Sequence, residues 1–154
     1  MILKRKLRVV ITDHGFPNVA IEQRTIEAAG CELSTFQCKT EQQIIEAVKD
    51  SDAVLVQFAP ITRVVIEQLI HCKVIVRYGV GTDNVDLEAA RSRAIIVCNV
   101  PNYCVDEVAD HSFALAMALA RQILAIDGQL KQNVWSNTPS RPMLASRQMT
   151  FVTC

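Results

Sequence analysis

The stretch Lys73-Val-Ile-Val-Arg-Tyr-Gly-Val-Gly-Thr-Asp-Asn-Val-Asp86 decides the fold. A β-branched run, Val74 to Val76, ends in a Gly-x-Gly turn and leads into the helix-prone Leu87-Glu-Ala-Ala90. That order makes a strand–loop–helix junction, whose backbone N–H groups can meet an anion. Gly79 and Gly81 permit a tight turn and a close approach, because neither carries a Cβ. Arg77, at the strand end, adds a planar cation suited to a carboxylate. Two plainer readings stand beside this one. Arg77 could instead pair with Asp83 or Asp86, and the glycines could serve the turn alone. Asp83 or Asp86, just ahead of Leu87, is expected to cap the helix.

The same alternation extends both ways along the chain. Leu7 to Thr12, Cys31 to Cys38, Ala53 to Val56 and Ala94 to Cys98 read as the remaining strands. Between them, helical spacing covers Val19 to Ala29, with Gly30 at its C-cap, Thr62 to Ile70 and Asp86 to Arg93. Thr40-Glu-Gln-Gln43 is a capping box opening a helix over Glu41 to Lys49. Five strands separated by helices predict an α/β fold: a flavodoxin-like parallel sheet of order 2-1-3-4-5, with helices on both faces. The alternating second strand is placed at an edge. Ligands of such sheets bind at the carboxyl ends of the strands, so residues 12–18, 57–61 and 79–83 should share one rim.

After Asn99-Val-Pro101 the pattern changes. Val105 to Leu130 reads as one long Ala-rich helix, Asn133 to Pro142 as a loop, and Gln148 to Cys154 as the opening of another strand.

Composition narrows the function classes. Half of the 154 residues are apolar and 21% are charged, enough for a core covering roughly 70% of the unfolded surface. Sixteen basic residues balance sixteen acidic ones without a long run of either sign, so no nucleic-acid or membrane-surface partner is indicated. Leu7 to Ile11 is too short and too soon interrupted for a secretory signal, and Phe113 to Ala120 is too short to span a bilayer. Six cysteines show no Cys-x-x-Cys and no metal-ligand spacing; they read as reduced core thiols of a cytoplasmic protein with no metal site. The third strand ends Val56-Gln-Phe-Ala59 without a phosphoacceptor aspartate, Thr12 to Asn18 is no flavin-phosphate loop, and no P-loop motif is present. His111 reads as a packing residue, and Asp13-His14 as a rim position that could touch a ligand, solvation being the plainer reading.

From Val74 to Arg121 the ordered blocks resemble the D-isomer-specific 2-hydroxyacid dehydrogenases. That group includes phosphoglycerate, glyoxylate and lactate-type enzymes and the C-terminal-binding-protein co-repressors. The blocks are Val74 to Ala90, Ile96-Val-Cys-Asn-Val-Pro101, Val105-Asp-Glu-Val-Ala-Asp-His-Ser112 and Ala116-Met-Ala-Leu-Ala-Arg121, with Gln57 to Thr62 upstream. The resemblance implies a substrate-binding domain over residues 1–100. A hinge, first helix and linker of an NAD-binding Rossmann domain would follow over 101–154. It also implies that the amides of Gly79, Val80 and Gly81 face a substrate carboxylate, with Arg77 as a supplementary contact. Val80 and Val108 would lie near the cofactor. The family's glycine-rich pyrophosphate turn and its catalytic residues would fall beyond Cys154. The chain is therefore expected to be the substrate-binding half of an NAD-dependent 2-hydroxy/2-keto acid oxidoreductase, inactive alone. The alternative is a non-enzymatic small-acid-binding or protein-interaction module. A long Ala-rich helix deprived of its partner domain would drive self-association, which makes a homodimer the expected assembly.

Overall fold

In a computed structural model of the chain, residues 5–135 are described. They divide into two compact units, the first ending at Tyr103 and the second beginning at Cys104. The first is a five-stranded parallel sheet of order β2-β1-β3-β4-β5, as the alternation of apolar runs and helices predicts. Its strands are β1 (Arg8–Ile11), β2 (Glu32–Thr35), β3 (Ala53–Val56), β4 (Val74–Arg77) and β5 (Ile96–Cys98). The helices between them are α1 (Ala20–Ala28), α2 (Glu41–Val48), α3 (Arg63–Gln68) and α4 (Leu87–Ser92).

Local chemistry sets the helix ends. Gly30, at φ +76°, closes α1 in a Schellman arrangement: its N–H donates to Glu27 O, and the Cys31 N–H donates to Ile26 O. Thr40, Thr62 and Asp86 each accept a backbone N–H three residues on, capping α2, α3 and α4. The box at α2 differs in its return bond, since Gln43 Oε1 accepts from the Lys39 N–H rather than from the cap residue itself. Asp86, and not Asp83, is the cap of α4.

Register sorts the sheet residues into two faces. Val10, Val54, Val56 and Ile75 join Ile44, Val48, Val65, Ile66, Leu69, Ala89 and Ala90 in one buried cluster under α2, α3 and α4. The opposite face carries Val9 and Ile11, which are buried, but grades through half-buried Leu55 and Val76 to exposed Ile96 at β5. The α1 helix on that side buries no residue fully, and its Ile21 is exposed. The cysteines also depart from expectation. Among the described ones only Cys72 is buried, its thiol pushed up to about 11 chiefly by desolvation, while Cys98 is exposed. Strand alternation sends Cys98 to the face that the described residues leave open.

The second unit carries α5 (Val105–Ala120) and α6 (Ile123–Lys131). The single long helix read from the sequence is thus two. Gln122 takes left-handed backbone angles (φ 52°, ψ 34°), the Arg121 and Gln122 N–H groups turn back to Met117 O and Leu119 O, and the two axes bend by 59°. Neither proline nor glycine stands at the break, so periodicity carried no sign of it. Neither helix buries a residue, and among the described residues no single helix is long and apolar enough to cross a membrane. The expected loop and strand after residue 135 lie outside the described residues.

Candidate functional site

Three strand-end segments meet on the rim at the carboxyl edge of the sheet. Asp13, which follows β1, is buried and joins two of them. Its Oδ1 accepts from Thr12 Oγ1 (2.9 Å) and the Gln57 N–H (3.2 Å), and its Oδ2 accepts from the Phe58 N–H (2.7 Å). Asp13 is thus not the solvated rim residue that the sequence suggests. The signal that could have found it is an acidic residue directly after a buried parallel strand, where a neighbouring strand ends with unpaired N–H groups. The next residues are held from the side: Gln57 Oε1 accepts from the Gly15 N–H (2.6 Å), and Gln37 Nε2 donates to His14 O (2.9 Å). Phe16 then meets Tyr78 edge to face, with ring centroids 5.3 Å apart.

At the end of β4 the backbone bonds are spent in a definite pattern. The Tyr78 N–H donates to Val56 O, and the Gly79 N–H turns back to Arg77 O at 2.9 Å. The carbonyls of Gly79 and Val80 accept from the Val100 N–H (3.0 Å) and Asn99 Nδ2 (2.7 Å). Further on, Asn84 Nδ2 donates to Ala59 O, and Ile61 bridges Val85. The loop is therefore pinned before, after and beneath. Among the described residues, the N–H groups of Val80 and Gly81 have no partner, and both residues are exposed. Of the three amides singled out in the sequence, two are open and the Gly79 one is engaged within the turn.

Arg77 forms no ion pair with Asp83 or Asp86 in the described structure; Asp86 faces Arg63 instead, at 3.8 Å. The Arg77 side chain folds across Gly79 so closely that a Cβ there would stand 1.8 Å from Nη1. Gly79 has φ +146°, so both its backbone and its missing side chain are required. Buried Arg77 Nε and Tyr78 Oη lack a partner in hydrogen-bond geometry. Burial, and then the nearby Glu22 carboxylate, push the Tyr78 hydroxyl well above its ordinary range, so the phenol stays protonated. Beside this loop lies a cleft of about 210 Å³ lined by Phe16, Gln57, Tyr78, Gly79, Val100 and Tyr103.

Val108 belongs to the second unit, on the exposed first turns of α5. His111 is exposed there too, not packed. A dinucleotide seat is not formed by these residues. The five glycines include no Gly-x-Gly-x-x-Gly, and after Gly81 come Thr82-Asp83-Asn84 and a helix of only six residues. No group of three or more metal-ligating side chains occurs among the described residues.

The family described as "D-isomer specific 2-hydroxyacid dehydrogenase, catalytic domain" matches residues 9–149. The chain belongs to this family. Among curated relatives, a D-3-phosphoglycerate dehydrogenase of Mycobacterium leprae is 32% identical over 121 residues, 77% of this chain but 23% of the relative. That of Methanocaldococcus jannaschii is 40% identical over 97 residues, 62% of this chain and 18% of the relative. The chain thus spans about a fifth of the length of these family members. Among solved structures, NAD+-bound 3-phosphoglycerate dehydrogenase of Entamoeba histolytica superimposes with a TM-score of 0.57 at 32% identity. That superposition covers 62% of this chain and 33% of the other.

Proposed function

We propose that this 2-hydroxyacid dehydrogenase family chain supplies the acid-holding part of an NAD-dependent oxidoreductase acting on 2-hydroxy and 2-keto acids. The observation that carries the reading is the pair of adjacent open amides at Val80 and Gly81, in a loop fixed by the bonds of Gly79, the Val80 carbonyl, Asn84 and Val85. Adjacent N–H groups on a fixed turn form a concave donor site, which suits a carboxylate without reorganising when it arrives. Gly79 makes the turn, and its own amide holds the loop. The Arg77 guanidinium, lying across Gly79, adds positive charge next to the amides.

Residues 1–100 are the substrate-binding domain in this reading, and residues 101–154 the entry to a cofactor domain. Val80 and Val108 are its cofactor-facing positions. Hydride chemistry would rest with NAD held by residues other than those described. The part of this chain is to bind and orient the acid, and no chemical step is assigned to its side chains.

Amide-resolved NMR of the 154-residue chain tests this. Glyoxylate is expected to shift the Val80 and Gly81 signals in a saturable way, whereas uncharged glycolaldehyde leaves them in place. Glyoxylate that shifts neither signal refutes the reading.

A further inference from the structure

We infer that the acid held at this rim bears one negative charge and an apolar, branched or aromatic side chain, selected by the Phe16–Tyr78 wall. This rests on the acid-binding reading above and adds the substrate class.

The cleft beside Gly79 is lined by three aromatic rings and Val100, and no lysine or arginine is among its lining residues. Its remaining side chain, Gln57, already spends its Oε1 on the Gly15 N–H. The Phe16 and Tyr78 rings meet edge to face at 80°, a packed aromatic pair that lines the cleft. At about 210 Å³ the space falls below the roughly 300 Å³ at which drug-sized pockets begin. It fits a side chain, with little room for a second charged group and its hydration shell.

Electrostatics point the same way. The carboxylates next to the cleft walls are Glu22, which acts on the Tyr78 hydroxyl, and Asp13, which accepts from the Gln57 backbone. A phosphoryl group carries about −1.5 to −2 charge at neutral pH. Here it would meet those two carboxylates without a cation of its own. Arg77, across Gly79, supplies one positive charge, enough for one carboxylate. The relatives named phosphoglycerate dehydrogenase therefore do not predict the acid that this cleft prefers.

The test is an NMR titration of the 154-residue chain with glyoxylate, 4-methyl-2-oxopentanoate, phenylpyruvate and 3-phosphohydroxypyruvate, read at Val80 and Gly81. The two apolar acids should bind roughly tenfold or more tightly than glyoxylate, which has no side chain to bury. Phe16→Ala should remove most of that advantage, and Phe16→Leu should retain part of it; an advantage untouched by Phe16→Ala overturns the selectivity. Amide signals unchanged away from the rim certify that the variants are folded. Tightest binding by 3-phosphohydroxypyruvate, or equal binding of phenylpyruvate and glyoxylate, overturns the selectivity but leaves the acid site standing. Silence of both amides toward all four acids overturns the acid site and this inference together.

Discussion

Gly79 shows how much one missing side chain can decide. Its φ of +146° and the guanidinium lying where a Cβ would stand are two separate requirements for glycine. Gly79→Ala should therefore lose roughly 1–3 kcal/mol of stability, the range for a residue forced into a sparsely populated backbone region. Urea denaturation measures this. Shortening the arginine as well (Arg77→Ala) removes the clash but not the backbone strain, so the double variant should recover only part of the loss. Gly79 was legible in the sequence as a turn residue. The engagement of its N–H and the placement of Arg77 were not, because both depend on where the chain goes after the turn. Asp13 makes the same point: its two backbone partners lie 44 and 45 residues away, beyond the reach of local pattern.

At the scale of elements, strands and helix starts were readable because their signals are local. Thr40, Thr62 and Asp86 each cap the helix that follows them, and β3 runs over the residues its apolar block marks. Asp86→Ala should cost about 1 kcal/mol through loss of the bond from the Ala89 N–H. A urea midpoint unchanged from the parent chain would show that the Ile61–Val85 backbone bridge and the burial of Ala89 and Ala90, not the Asp86 side chain, hold α4 in place. The break between α5 and α6 was unreadable for a physical reason. Left-handed backbone at a glutamine costs only about 1–2 kcal/mol, so residues without helix-breaking character can adopt it. Ala-rich periodicity continues straight across it.

Across the whole molecule, the buried apolar residues of the described chain all fall between Val9 and Ile95. The helices after Tyr103 present Phe113, Leu115, Leu119 and Leu124 to solvent. A chain ended after Tyr103 should keep its urea midpoint, and it should lose most of the binding of a hydrophobic dye shown by the 154-residue chain. A lowered midpoint would mean that the second unit contributes to the stability of the first.

The sequence by itself determined the parallel sheet, its strand order, the caps and the glycine turn, because periodicity, β-branching and capping act over a few residues. Only the tertiary structure decided which amides of that turn stay open, where Arg77 lies, which aromatic rings wall the cleft, and that one sheet face is covered more fully than the other. Those outcomes depend on contacts between segments tens of residues apart, and hydrogen-bond competition and packing are resolved only when such segments meet.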